Sequence, residues 1–473
     1  MPEAIHTLGQ RLHECWDRYR SCFKTQTRDG SAYARHYLSG LLRMEKHRHY
    51  SGIGRETGVE GQNLQHFMSH SPWSAEAVYR QVQEEVKATP ELTRGGVLLV
   101  DESAEEKASD ASAGAAKQYN GRCGKVETSQ VGVLLSYVNL TVASGFWTWL
   151  TGKLFLPEAW FEASYQKRRQ RLGIPESLRF KTKVELAWDG IAEVIAGGLA
   201  FEIVGFDSLY GRSGWLRAQV RQANRRYMAE IPADTAVYLE KPTLGLPARH
   251  GKRGRQPTRV QVLAGEPVRA DSLREAMDWQ QLQVRATERG ELQERFAARR
   301  VWTVYDGHAV EEWLVMREEA TDRVSYALCN AAADTPLAQL AWWKCQRYFI
   351  ERANQDAKSE LGWDELQAQK YRAWNHHLAL TVLASWFIAQ TQIDWAQAHP
   401  RDPALLKELE TDVLPALSVA NVRELLRAVM PLKRLTEEQA TERVVEHLLN
   451  RTRSRKSKLK KQRLEKRAHT GPT

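Results

Sequence analysis

The chain has 473 residues, of which 42% are hydrophobic, and it carries a formal net charge of +10. A chain of this length can bury a large core and is expected to form about three domains. Its longest apolar run, LALTVLASWFIAQ at 378–390, is shorter than the roughly 18 to 20 residues that cross a bilayer. The N-terminus has early acidic residues and no long apolar stretch, unlike a secretory signal. We therefore expect a protein with no membrane span and no secretory signal, which stays in the cytoplasm.

Cysteines and charges narrow the functional classes further. The five cysteines contain no C-x-x-C pair, which argues against a disulfide framework and against a zinc ribbon. Most of the net positive charge lies in the segment 451–467, which has ten basic residues and one acid. Such a tail is typical of a solvated, disordered segment, and equally of one that contacts nucleic-acid phosphates without sequence preference.

The first 92 residues are rich in helix formers and are expected to form a helical N-terminal region. The stretch 50–74 has the order helix, glycine-containing turn, helix, with Gly58 at the turn and the second helix at about 62–69. This is the plan of a DNA-binding helix-turn-helix, in which Gln62 and Gln65 would contact DNA. An ordinary helical hairpin has the same spacing, so the sequence leaves both interpretations open.

From residue 93 the pattern changes to buried strands. The strings GGVLLVDES, VGVLLSYVNL and FWTWLTGKLFL predict three strands, and their short connections favour an antiparallel arrangement. A helix at about 183–194, the strand LAFEIVGFD ending at Asp207, a helix at about 214–226 and the strand YMAEIP follow. This order is that of an α/β, RNase H-like core, and we assign 93–240 to its first part.

The next segment, 241–334, interrupts this order and is predicted to be a β-rich insertion. It opens with a loop that contains proline, glycine and cations but no acid; the cations are Arg249, Lys252, Arg253 and Arg255. A polar stretch predicted to be helical follows, and then the strand-like strings RVWTVYD, EEWLVMRE and VSYALCNA. We assign 335–395 to the second part of the core, 396–450 to a helical C-terminal region and 451–473 to a disordered basic tail.

Two aspartates are placed where buried strands are expected to end. Asp101 follows the apolar run GVLLV, and Asp207 follows LAFEIVGF. Carboxylates at such positions can hold Mg²⁺, which prefers oxygen ligands. Glu351 is the best third acid because cations and an amide at helical offsets of −4, +4 and +7 share its helix face. Those neighbours are Arg347, Gln355 and Lys358. Chance would produce on the order of one such match in the chain, so the spacing alone is weak.

Several ordered blocks of the chain resemble one known family. They are VDES, QYNGRCGKVETSQVGV, LPEAWF, FKTKVELA, FDSLYGRSGWL and RYFIERANQDAKSELGWDEL. Together they look like the bacterial insertion-sequence transposases known as DDE superfamily endonucleases, over about 97–388. The related signature Y-x2-R-x3-E-x6-K is met by Arg347, Glu351 and Lys358, whereas Lys344 occupies the position of the tyrosine. The resemblance implies an RNase H-like core and a cut-and-paste DNA transposase.

The resemblance also implies the parts of the site. In that family the acids matching Asp101, Asp207 and Glu351 hold two Mg²⁺ ions, which Mn²⁺ can replace, for cleavage at the element ends and for strand transfer. The residues then expected to contact DNA are Arg347, Lys344, Gln355, Lys358 and the four cations of the loop at 249–255. Related enzymes place a flipped base against an aromatic residue of the insertion. Trp302 and Trp313 are the candidates, although packing in the insertion core explains them more simply.

The implied partners are double-stranded DNA, at terminal inverted repeats and at a target, and a second copy of the chain in a synaptic dimer. The implied location is the nucleoid of a bacterial cytoplasm. Two other interpretations remain open. One is a domesticated or inactive descendant that regulates by binding DNA, and the other is an RNase H-like nuclease that cuts without transfer.

Overall fold

The structure is a computed structural model that describes residues 2–120, 124–142, 145–248, 257–287, 290–319, 323–398 and 417–430. Residues Met1–Val429 belong to one compact unit. Within the described ranges, thirteen α-helices accompany a sheet of ten strands. The predicted α/β class with an RNase H-like core is confirmed. None of the helices in these ranges is long and apolar enough to cross a membrane.

The N-terminal region is helical, as predicted. Its helices are α1 (Pro2–Tyr19), α2 (Ser31–Arg43), α3 (Tyr50–Thr57), α4 (Gly61–Ser69) and α5 (Ala75–Ala88). Gly58 joins α3 to α4 with a φ of 76°, a left-handed conformation that glycine adopts readily. The aromatic rings of Phe67 and Trp73 stack beneath α4 with centroids 5.4 Å apart. The helix, turn and second helix expected from the sequence are therefore present.

The centre of the sheet has the order β4, β3, β1, β5, β6. These strands, with β2, are β1 (Val97–Glu106), β2 (Ala116–Asn120), β3 (Lys125–Asn139), β4 (Phe146–Phe155), β5 (Ile203–Phe206) and β6 (Arg226–Ile231). The first three long strands are antiparallel, as predicted, and β5 and β6 run parallel to β1. The sequence did not predict β2, which pairs with the start of β3.

Four helices accompany this part of the core. They are α6 (Gln166–Leu172), α7 (Lys183–Ala196), α8 (Ser208–Gly211) and α9 (Gly214–Gln222). The start of α7 is set by a capping box, in which Thr182 caps the backbone of Glu185 and the Glu185 carboxylate returns to Thr182. Asp207, the residue after β5, is the N-cap of α8, and Ser213 is the N-cap of α9. The polar caps thus end the buried strand and start the helical layer that borders the site.

The insertion extends the core sheet. Its strands are β7 (Ala236–Val237), β8 (Thr243–Gly245), β9 (Gln261–Ala264), β10 (Val268–Arg269), β11 (Gln280–Thr287), β12 (Gly290–Tyr305), β13 (His308–Glu318) and β14 (Val324–Cys329). Because β14 pairs with β6, the sheet continues through β13 and β12 to β11. The polar stretch predicted to be helical is instead β9 to β11 with one short 3-10 turn, so that prediction is wrong. Pairing with the long strand β12, and packing of Leu282 and Val284 beneath Ala341, decide its structure.

The chain then returns to helix as α10 (Leu337–Cys345), α11 (Tyr348–Ser359), α12 (Tyr371–Ala398) and α13 (Val419–Val429). Gln346 and Arg347 separate α10 from α11, and α11 packs against β1, β3 and β4. Arg423 of α13 is buried, and it donates to the Leu42 carbonyl at 3.2 Å and pairs with Glu360 at 2.5 Å. This pairing ties α13 to the N-terminal helices and to the end of α11. The basic tail and the rest of the predicted C-terminal helical region lie outside the described residues.

Arg48 offers a test of how the N-terminal region is attached to the core. Its side chain is 1% exposed, and its Nη1 donates to Glu365 Oε1 at 2.7 Å. The change Glu365→Ala would leave a buried guanidinium without its counter-charge, so we expect a loss of about 2–4 kcal/mol in the free energy of unfolding. Urea unfolding measures this. The control is Glu424→Ala, which removes an exposed partner of Arg427 and should change stability by less than about 0.5 kcal/mol. Equal losses in the two variants would show that Arg48 does not depend on Glu365.

Candidate active site

Asp101 and Asp207 lie side by side where the parallel pairing of β1 with β5 ends. The register pairs Val100 with Phe206, so each aspartate is the next residue of its strand or loop. Because neighbouring strands are about 4.8 Å apart, both carboxylates emerge at the same edge of the sheet. Asp207 directly follows its strand, as predicted. Asp101 does not end its own strand, because β1 continues to Glu106 by pairing with β3 alone. The strand end that the sequence predicted at Asp101 is therefore only the end of the pairing between β1 and β5.

The carboxylate of Asp207 is held by the helix that follows it. Its Oδ1 accepts hydrogen bonds from the backbone nitrogens of Leu209, at 2.9 Å, and Tyr210, at 3.3 Å. This is an N-cap, in which the acid satisfies backbone donors that the first turn of a helix leaves open. The cap fixes the orientation of the carboxyl group at the edge of the sheet.

Gly211 at the end of α8 keeps this cap in place. A Cβ atom there would lie 1.8 Å from the carbonyl oxygen of Glu230 on β6. We therefore expect Gly211→Ala to push α8 away from β6, to lower the free energy of unfolding by about 1–3 kcal/mol, and to displace Asp207. Thermal unfolding and a DNA-cleavage assay would check both effects. Ser208→Ala in the same short helix is the control, since Ser208 is exposed; a Gly211→Ala protein as stable as this control would contradict the prediction.

The helix α11 places Glu351 on the wall of the cavity that the two aspartates also border. Its buried face includes Phe349 and Ile350, which belong to the core cluster beneath the sheet. Two indole nitrogens of β4 fasten the helix further: Trp147 donates to Asp356 at 2.9 Å and Trp149 donates to Asn354 at 3.0 Å. Asp101, Asp207 and Glu351 border one cavity of about 740 Å³, as do the three residues predicted to share the face of Glu351. The face of α11 that carries Glu351 and its predicted neighbours therefore borders the same cavity as the two aspartates.

Arg347 stands among the acids of this cavity. Its Nη1 is 3.8 Å from Asp101 Oδ2 and 3.1 Å from Glu351 Oε1, while its Nε is 3.4 Å from Glu230 Oε2. The carboxylates of Asp101 and Glu351 thus flank one guanidinium. Burial raises the pKa of Asp101 to about 7, against the pull of Arg347 and with a further contribution from the charge of Asp207. Burial would lower the pKa of Arg347, but Asp101, Glu230 and the other acids outweigh it and raise that pKa. The cavity concentrates negative charge and favours cations.

The other residues predicted near Glu351 have different surroundings. Gln355 is exposed at the cavity. Lys358 is held to β1, with its Nζ 3.0 Å from Glu105 Oε1 and 3.4 Å from the Ala104 carbonyl. Lys344 is buried, with its Nζ 3.5 Å from Glu230 Oε1, and burial lowers its pKa. The expectation that Lys344 contacts DNA is therefore corrected: its ammonium lies inside the protein, where its neighbouring charge is Glu230.

The donor set of the cavity suits a hard divalent cation. Its acids offer carboxylate oxygens, and Asp101 is a buried carboxyl group whose ionised form a cation would stabilise. The described residues contain no group of three His, Cys, Asp or Glu side chains already arranged to hold a metal ion. Glu351, whose side chain is 62% exposed, pairs with Arg347 and can turn on its helix toward the aspartates. The residues of this cavity fit a hard divalent cation chemically.

The residues predicted to contact DNA outside this cavity are only partly described. Gln62 and Gln65 are exposed on α4, next to the turn at Gly58. The four cations of the basic loop, Arg249, Lys252, Arg253 and Arg255, lie outside the described residues. The interpretation of α3 and α4 as a reader of DNA stays a prediction, since a helical hairpin with exposed glutamines suits both alternatives.

Trp302 and Trp313 lie on the same face of the hairpin formed by β12 and β13, since Trp302 pairs with Glu311 and Trp313 with Arg300. Trp313 packs against the core cluster, and its indole nitrogen donates to the Ala332 carbonyl at 3.0 Å. Packing is thus the evident role of Trp313. Trp302 is half-buried, with the Lys241 ammonium 5.4 Å from its ring centroid. Trp302 is the better placed of the two to meet a base.

Sequence reasoning missed three acids of the site. Glu230 on β6 holds both Arg347 and Lys344, whereas Glu102 and Asp364 border the cavity. The signal for Glu230 was a charged residue in the otherwise apolar string YMAEIP. Glu102 pairs with Lys183 at 2.5 Å, which links β1 to the start of α7. Neither Glu102 nor Asp364 differs in sequence context from an ordinary surface acid.

Comparisons with known proteins agree with this geometry. The family described as DDE superfamily endonuclease matches residues 18–295, more than half of the chain, and this range includes Asp101 and Asp207 but ends before Glu351. The chain is also 24% identical, over 324 residues, to a protein of Microchaete diplosiphon named "Probable transposase for insertion sequence element IS701". That alignment covers 67% of this chain and 72% of the relative. This chain belongs to the family of DDE superfamily endonucleases.

Proposed function

We propose that this chain is a transposase that cuts DNA at the ends of a mobile element and joins the cut strand to target DNA. The observation that carries the proposal is the shared cavity of Asp101, Asp207 and Glu351 at the carboxyl edge of β1 and β5. Membership of the endonuclease family supports the cleavage, and the name of the relative supports transposition.

The reaction would use the acids as follows. Two Mg²⁺ ions, replaceable by Mn²⁺, would be held by Asp101, Asp207 and Glu351 and would supply Lewis-acid stabilisation and an activated nucleophile. In the first step water attacks a phosphodiester at the element end, which leaves a 3′ hydroxyl and a 5′ phosphate. In the second step that 3′ hydroxyl attacks a target phosphodiester and releases a target 3′ hydroxyl. Each step exchanges one P–O bond for another, so one site serves both.

The surrounding side chains would position the phosphates. Arg347 is oriented by Glu230 at the centre of the cavity, where its guanidinium can bind a phosphate once the acids no longer hold it. Lys358 is fixed to Glu105 and would hold α11 against β1. Gln355, exposed at the same cavity, would contact the DNA strand. Trp302 is the candidate for stacking with a base near the cut.

The remaining parts of the proposal concern DNA and a second copy of the chain. The exposed glutamines of α4 would contact DNA near the element end, and the loop at 249–255 would follow the phosphate backbone. The two element ends would be paired by a homodimer acting in the cytoplasm. A domesticated DNA-binding regulator shares the fold, and a nuclease without transfer shares the site.

A plasmid assay separates these functions. The purified chain is incubated with a plasmid that carries the gene with its flanking DNA, in Mg²⁺, in Mn²⁺ or in EDTA. We expect cuts at the element ends and joined products in Mg²⁺ or Mn²⁺, and neither in EDTA. Binding without cutting would indicate a regulator, whereas cuts without joined products would indicate a nuclease; either result would overturn the proposal.

A further inference from the structure

A second cavity, of about 540 Å³, lies between the helical hairpin of α3 and α4 and the catalytic core. One wall contains Gln62 and Gln65 from α4, and the other contains Arg171 at the end of α6 and the segment 366–370 before α12. No Asp or Glu borders this cavity in the described part of the chain. The exposed glutamines of α4 therefore face a concave, cationic space.

The dimensions and chemistry of this space indicate its ligand. Its volume lies within the roughly 300–1,000 Å³ of small-molecule sites, and it cannot admit a duplex. A helix that reads a duplex must project into the major groove, but Gln62 and Gln65 face an opposing wall. Arg171 and Lys370 supply charges for a phosphate, and amides on both walls supply donors and acceptors for a base. The combination matches one nucleotide.

The charges around the rim of the second cavity also favour an anionic ligand. Desolvation by its surroundings lowers the pKa of His70, which borders the cavity, and the nearby His66 and the cations Lys370 and Arg372 lower it further. An anion placed there would be attracted by the same cations.

The second cavity shares a wall segment with the catalytic cavity. Asp364 borders the catalytic cavity and Leu366 borders the second one. Glu365 between them is fixed by the buried Arg48, at 2.7 Å. A DNA strand that leaves the duplex near the cut therefore has a cationic cavity only two residues of chain away from the catalytic wall.

We infer that this second cavity binds one nucleotide of an unpaired DNA strand, with its phosphate at Arg171 and Lys370 and its base between the amides of α4 and the segment 366–370. The inference rests on the proposed cleavage of DNA by this chain. It gives the helical hairpin a role in holding a displaced strand, whereas a helix-turn-helix, one of the two interpretations that the sequence left open, would read duplex DNA.

Fluorescence anisotropy on the full chain tests the inference, with a labelled single strand of 12 nucleotides and a duplex of 30 base pairs. The variant Arg171→Gln/Lys370→Gln removes the phosphate charges, and Ala368→Trp fills the cavity without a change of charge. We expect both to weaken single-strand binding about tenfold or more, the effect of about 1.4 kcal/mol, and to change duplex affinity less than twofold. The slope of log affinity against log salt concentration should become shallower by about 0.7 for the first variant, because one phosphate is contacted, and should stay unchanged for the second. Arg28→Gln, at an exposed cation outside the cavity, is the control.

The outcomes separate this inference from the function on which it rests. Equal losses for single strand and duplex, or no loss in either variant, would overturn it. If free dTMP competes with the single strand, and Ala368→Trp abolishes this competition, the cavity binds free nucleotides. That result would overturn the assignment of the cavity to a DNA strand. If the chain binds single strands as expected but makes no metal-dependent cut in DNA, only the proposed function is overturned.

Discussion

The Asp207→Asn protein is expected to lose cleavage at the element ends by about 1,000-fold or more while its affinity for DNA is kept. The change replaces one carboxylate oxygen with an amide, which retains the cap on α8 but removes a charge from the proposed metal site. Loss of a metal ligand removes several kcal/mol of transition-state stabilisation, and each 1.36 kcal/mol is tenfold in rate. Gel quantification of nicked plasmid in Mg²⁺ measures the rate, and Asp101→Asn and Glu351→Gln should behave alike.

A matched acid of the same cavity gives the control. Asp364 borders the cavity but is not among the three proposed ligands, so Asp364→Asn should change the rate less than about threefold. Normal cleavage by Asp207→Asn would contradict the proposed mechanism. Normal cleavage by Glu351→Gln alone would transfer the role of third ligand to another acid, such as Glu102, which borders the cavity, or Glu230, which pairs with Arg347.

The Asp101→Asn protein is expected to be more stable than the wild type at pH 8 in EDTA, although it is inactive. The pKa of Asp101 is raised to about 7 in the folded chain, chiefly by burial, from an ordinary value of 3.8. A group with a raised pKa favours the folded state fully below its unfolded value and loses that contribution as the pH rises through its folded value. Above pH 7 the wild type therefore keeps a buried charge that asparagine lacks. We expect a gain of about 1–3 kcal/mol in the free energy of unfolding.

Urea unfolding at pH 8 and near pH 4 tests the origin of this gain. The difference between Asp101→Asn and wild type should shrink near pH 4, where the wild-type carboxyl group is protonated in the folded chain. Asp207→Asn should show a much smaller gain, because the Asp207 carboxylate accepts two backbone hydrogen bonds at the helix cap. A gain of equal size at both pH values would exclude the buried charge as its cause.

Much of the fold followed from local patterns. Apolar strings such as VLLV and IVGF are buried in every residue, and they form strands, as their composition predicted. The antiparallel order of the first strands and the helical N-terminal region were predicted as well. The polar stretch before β12 was not, because its strand β11 owes its structure to pairing with β12 and to packing under α10. Local composition does not record such a partner.

The candidate site was likewise predicted in part from local sequence and decided in part by the tertiary structure. The sequence by itself determined that Asp101 and Asp207 each follow a buried apolar run, because such runs can be recognised from local composition. It also determined the common face of Arg347, Glu351 and Gln355, because helical spacing is local. Only the tertiary structure decided that the ladder between β1 and β5 ends at both aspartates, that Glu230 holds Arg347 among the acids, and that Lys344 is buried. These facts depend on strand register and on contacts between segments more than a hundred residues apart, which no local pattern contains.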